Sequence, residues 1–171
     1  MFKKTLLATA FALSGFTMTA AASTQTTTFQ VTATVINDCI ISSSNIAFGN
    51  YDPTVATAVT NSAGAVTATC TMGDSVSVAL GQGANAGTGS TAAVPARQMV
   101  SGTNKLPYHI YIASTGTTEW GTGTVGTNEP AAQTSVSVLT PLSFPLYGSI
   151  PAGENVPAGS YTDSVIATVT Y

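Results

Sequence analysis

Histidine occurs once in the 171 residues, tryptophan once and cysteine twice, and only 6% of the chain is charged. An average globular domain carries about 25% charged residues. Each shortage excludes something. Two cysteines, one histidine and seven dispersed carboxylates offer no ligand spacing for zinc and no D-x-D-x-D-G loop for calcium. No cofactor is expected. The 4 basic residues, Lys3, Lys4, Arg97 and Lys105, form no patch for nucleic acid or an anionic membrane. No window holds apolar residues at three- and four-residue spacing with caps, so little or no helix is expected beyond the leader.

The leader is residues 1–22. Lys3 and Lys4 make a basic start, residues 5–18 a short apolar core, and Ala20-Ala21-Ala22 a small-residue cleavage site before Ser23. The apolar core is too short to span a bilayer, and no later stretch is long and apolar enough. An exported product without membrane insertion is expected. Its leader removes two of the 4 basic residues and none of the 7 acidic ones, leaving a formal charge of −5. In an oxidising compartment the simplest reading of Cys39 and Cys70 is one disulfide. Closing a loop of about 30 residues would stabilise by roughly 3–4 kcal/mol.

What the chain does have is alternation. Phe29-Gln30-Val31-Thr32-Ala33-Thr34-Val35 puts every second side chain on an apolar face, the period of a half-buried strand. Similar runs occupy residues 65–70, 76–80, 106–112, 135–139 and 142–148, and a weaker one residues 97–100. In the last run Asp163, Val165, Ala167, Val169 and Tyr171 alternate with Ser164, Ile166, Thr168 and Thr170. Gly/Pro turns separate them, and Pro145 suggests an edge strand or bulge. Residues 81–89 read as an exposed loop, and residues 116–130 as a long loop or weak hairpin around Trp120. The expected fold is an all-β sandwich or barrel in one domain.

Catalysis lacks material. His109 lies mid-strand, and no serine stands in a Gly-x-Ser-x-Gly elbow. Glu119, Glu129 and Glu154 sit in Gly/Pro-rich loops and read as solvated charge. Trp120 is either packed on its own domain or free to stack on a sugar ring. An enzyme is not expected.

Residues 29–35, Asp38-Cys39, Ile46-Ala47-Phe48-Gly49, Cys70, the Pro-Leu-Tyr-Gly-Ser-Ile run at 145–150 and residues 159–171 together resemble, in order and spacing, the spore coat protein U family, the subunit domain of archaic chaperone–usher pili. The resemblance covers about residues 29–171. It implies an incomplete immunoglobulin-like β-sandwich at 37–171, completed by a donor strand, with residues 23–36 serving as donor to another subunit. Phe29, Val31, Ala33 and Val35 would enter a groove walled by Val165, Ala167, Val169 and Tyr171. Their burial has an upper bound of roughly 5–10 kcal/mol. Implied partners are a periplasmic pilus chaperone, an outer-membrane usher and other pilin subunits. The implied product is a surface pilus supporting adhesion or biofilm. Two rivals remain: a secreted monomeric carbohydrate-binding sandwich using Trp120, and a structural protein of a spore or cell coat.

Overall fold

A computed structural model describes residues 21–124 and 126–171. Nearly all of the expected leader, residues 1–22, lies outside them. Among the described residues eight strands run in order: β1 (Cys39–Ser44), β2 (Val59–Cys70), β3 (Ser75–Leu80), β4 (Arg97–Ser101), β5 (Asn104–Tyr111), β6 (Gln133–Thr134), β7 (Leu142–Ile150) and β8 (Ala167–Thr170). The described residues contain no helix. Residues 21–34 form a unit of their own, exposed and without a strand; the sandwich lies within Val35–Tyr171.

One antiparallel sheet has the order β1-β2-β7-β5-β4 and the other β6-β3-β8. Their facing residues form a single core. The five-stranded sheet contributes Val66, Ala68, Leu142 and Phe144, and the three-stranded sheet Val76, Val78 and Leu80. The alternation is followed residue by residue in β3 and β7, where every second side chain is buried. This is an all-β, incomplete immunoglobulin-like sandwich.

Cys39 and Cys70 stand opposite each other in the β1–β2 ladder and form a disulfide. Strand β2 begins six residues before the expected run, and its register shifts between Asn61 and Gly64. Small residues there had hidden the strand.

Three other expectations change. Pro145 lies in β7, which is central. Its β5 ladder reaches only Tyr147–Ser149, so at Pro145 that side demands no N–H donor. The valine–serine alternation at 135–139 makes no strand and faces the opposite way. Ser135 is buried and donates its hydroxyl to the Cys70 carbonyl (2.9 Å), while Val136, Val138 and Leu139 are exposed. Residues 81–89 are half-buried in part, because Gly81 and Ala84 donate backbone bonds to the carbonyls of Ile166 and Ser164.

An open groove as the candidate functional site

Strand β1 has one ladder, to β2, and β8 has one, to β3. Between these two sheet edges runs a groove of about 750 Å³. One wall is residues 41–46 and the other is residues 161–167. Its floor is apolar, with Val66, Leu80, Ile110 and Leu146 from four strands.

Glycines allow the first wall to sit close. A side chain at Gly64 would put its Cβ 2.7 Å from the Ile46 side chain, and one at Gly148 would meet Phe48 at 2.8 Å. Neither distance is tolerable, so these mid-strand glycines mark a close approach. The Asn61 amide donates to the Ala47 carbonyl (2.8 Å) and holds the crossing segment down. Gly49, at φ +71°, then turns the chain away.

The second wall is fastened on its far side. Thr162 exchanges both backbone hydrogen bonds with Val100 of β4 (2.9 and 3.1 Å). The Asp163 carboxylate accepts from the Tyr108 hydroxyl (2.7 Å) and the Asn85 amide (3.0 Å). Burial first, then the Asp163 carboxylate, pushes the Tyr108 hydroxyl well above its ordinary pKa, so it stays a proton donor. Among the described residues, Asp163 is the one formally charged residue lining the groove. With that charge held by two neutral donors, the site is an apolar trough between strands with unfilled edges. It can take an extended apolar segment through main-chain hydrogen bonds and side-chain burial.

Of the expected acceptor residues, Val165 and Ala167 line the groove. Val169 packs partly on the core further along, and Tyr171 stands past the end of β8, about half exposed. Phe29, Val31, Ala33 and Val35 are exposed, with Phe29 at 84%, and residues 21–38 carry no strand. The reading from residues missed Ile41, Phe48, Tyr108 and Asp163. Gly148, a glycine within an apolar run, was the available signal for Phe48. Nothing local marks the Tyr108–Asp163 pair, which is 55 residues apart in sequence.

The groups once weighed for catalysis and sugar binding lie elsewhere and are used structurally. Trp120 is fully buried, and its indole N–H donates to the Val78 carbonyl (3.0 Å). No face is left for a sugar ring, which removes the residue on which the carbohydrate-binding reading stood. Glu119, expected to be solvated, is buried. One of its oxygens pairs with His109 Nδ1 and the other faces Arg97 Nη1 at 3.5 Å. Arg97 is itself buried and donates to the carbonyls of Leu80 (3.1 Å), Gly81 (3.0 Å) and Trp120 (2.7 Å). This guanidinium thereby ties the end of β3 to the loop after β5, directly behind the groove floor at Leu80. His109 also stacks on Tyr111, with ring centroids 5.5 Å apart. Among the described residues, no cluster of three or more His, Cys, Asp and Glu could hold a metal ion.

Comparison with known proteins places this geometry. A family model described as the Spore Coat Protein U domain matches residues 25–168. Protein U of Myxococcus xanthus is 35% identical over 162 residues, covering 89% of this chain and 88% of its own. Among solved structures, the fold is similar to a chain of the CsuC–CsuE chaperone–tip adhesion subunit pre-assembly complex from archaic chaperone–usher Csu pili of Acinetobacter baumannii. The TM-score is 0.52 at 22% identity, over 81% of this chain. The chain spans 40% of that protein's length.

Proposed function

The chain belongs to the Spore Coat Protein U domain family, and on that premise we propose that it is a non-enzymatic structural subunit of a chaperone–usher surface pilus. In this reading residues 23–36 of one copy fill the groove of another subunit. Phe29, Val31, Ala33 and Val35 become the apolar face of the added strand, and Val165, Ala167, Val169 and Tyr171 belong to the strand beside it.

One observation carries the reading. The sandwich has a groove between two single-laddered edges, and the same chain has an exposed, strand-patterned segment outside any strand. Filling the one with the other removes an open edge and an exposed apolar face together. Donor and acceptor are different patches, so repetition gives an open fibre and not a closed ring. Before assembly the groove needs a temporary occupant, the role of a periplasmic chaperone, and export to the surface needs an usher. Adhesion and biofilm support are the functions such a fibre would serve.

A second reading keeps the self-association and changes the destination. The relationship to Protein U and the family's own description favour a spore or cell coat. Immunogold labelling separates filaments projecting from the cell from a continuous layer. The strand assignment is tested by deleting residues 23–36 in the exported chain. Loss of polymers is expected; polymers formed normally without that segment would refute it.

A further inference from the structure

The outer face of the five-stranded sheet is turned away from the core and carries a cluster that neither core nor groove uses. In β5 and β7 every second side chain is buried, and the alternate positions His109, Tyr111, Tyr147 and Ser149 point outward and stay part-exposed. The ladders set them in two rows. Tyr111 stands opposite Tyr147 on one side and opposite Glu119 on the other. His109 stands opposite Ser149, which in turn stands opposite Thr60 of β2. Directly opposed side chains lie about 4.5–5.5 Å apart at Cβ, and successive rows on one face about 6.6 Å apart. The result is a grid of rings and hydroxyls with the spacing of a sugar ring.

This grid is held rigid from behind. The imidazole of His109 lies flat against the Tyr111 ring, with centroids 5.5 Å apart and planes 9° from parallel. Its Nδ1 pairs with the buried Glu119 carboxylate, whose other oxygen faces the buried Arg97 guanidinium at 3.5 Å. A buried ion pair is weak evidence for stability. Here it has a further use, since it fixes a histidine whose side chain is 38% exposed. With Nδ1 engaged, Nε2 is the ring atom left to meet a ligand. Stiff aromatic rings with a few placed polar groups are the makings of a ligand site, because little freedom is lost when they are covered.

We propose that this outer face is a binding site for an extended neutral glycan, its pyranose rings lying on Tyr111 and Tyr147 and its hydroxyls meeting His109 and Ser149. The electron-rich faces of the rings suit the weakly positive C–H groups of a sugar. Charge selects a neutral chain over an anionic one. Arg97 is buried and occupied by Glu119 and three carbonyls, so it offers nothing to a sulfate or carboxylate. Glu119 and Glu154 both act on His109, and the chain has 7 acidic residues against 4 basic. The site goes beyond the pilus reading and needs no donor strand. In a fibre it would recur once per subunit, so that weak single contacts add up.

The chain supplies its own reporter, because His109 is its one histidine. The imidazole Hε1 resonance of the untagged exported chain is followed by NMR while cellohexaose, chitohexaose or dextran sulfate is added. A saturable shift is expected with the two neutral oligosaccharides and none with dextran sulfate. Tyr111→Ala should weaken the affinity about tenfold, the scale of one ring contact, and Tyr111→Phe should keep it near the parent value. Tyr147→Ala removes the other ring of the row and decides the matter if Tyr111→Ala fails to fold.

No saturable shift with either neutral oligosaccharide would overturn the proposal. Equal affinity in the parent, Tyr111→Ala and Tyr147→Ala chains would overturn it too, since the sugar would then sit elsewhere. So would a response to dextran sulfate as strong as that to cellohexaose, which would make His109 an anion contact. Deleting residues 23–36 should leave all three titrations unchanged, so this site and the donor strand stand or fall separately.

Discussion

The two flanks of this sandwich are written in the same residue pattern and end in different states. Where β2 and β7 face β3, the inward positions Val66, Phe144, Val76 and Val78 are sealed from solvent. Where β1 faces residues 161–171, the inward positions Val165, Ala167 and Val169 are only half-buried, and Ile41 is half exposed. The side chains are equally apolar on both flanks. What differs is the number of neighbours: each strand on the closed flank is covered by the opposite sheet, while the open flank has the groove between β1 and β8. Alternation therefore records which face a strand would bury, and the sheet order decides whether anything is there to bury it against.

The comparison is broken most severely by Phe144→Ala on the closed flank. Removing a fully buried ring should destabilise the subunit by about 3–5 kcal/mol in urea denaturation. Next comes the cross-link joining β1, the open wall, to the closed sheet. Cys39→Ser with Cys70→Ser should cost about 3–4 kcal/mol through the loop it releases, and should also loosen the groove, read as earlier amide exchange in residues 39–44. A smaller effect is expected at Val165→Ala. In the isolated subunit the loss should stay below about 1 kcal/mol, because the side chain is already half solvated. With a peptide of residues 23–36 bound it should rise to roughly 1–2 kcal/mol, since two methyl groups then leave a covered site. Equal losses with and without peptide would mean that this flank is not the one filled.

The smallest effect concerns pH. Its hydrogen bond to Glu119 is the main reason that the His109 pKa lies above its ordinary 6.5, with burial opposing. The pair therefore stabilises the fold fully below about pH 6.5 and loses that contribution as pH rises through the higher folded value. The His109 side chain is 38% exposed, so solvent screening keeps the contribution below about 1 kcal/mol. The variant His109→Gln should flatten the stability profile across that window. A profile unchanged from the parent chain would show that the pair contributes nothing measurable.

Much of the fold was legible in the residues. β3, β5, β7 and the final run were readable because each keeps a strict period of two, bounded by Gly or Pro. The pairing of Cys39 with Cys70 followed from there being two cysteines in a chain expected to be exported. The failures have a common cause. Val136 and Val138 alternate with serines, but the hydroxyl of Ser135 meets the Cys70 carbonyl and turns the valines outward. Trp120 and Glu119 sit in a glycine-rich loop that looks solvated, and Arg97 draws that loop inward through the Trp120 carbonyl. In each case a hydrogen bond between distant residues overrode the local pattern.

Residue order by itself determined the all-β class, the disulfide, the strand-like N-terminal segment and the poverty of catalytic groups. These follow from composition and from a periodicity that any few consecutive residues display. Only the tertiary structure decided that β1 and β8 each carry a single ladder, that a groove lies between them, and that Thr71 bonds the backbone of Ile36 and Asp38. Those facts depend on which strands become neighbours. Neighbourhood is settled by long-range pairing across the core, which no local stretch of sequence contains.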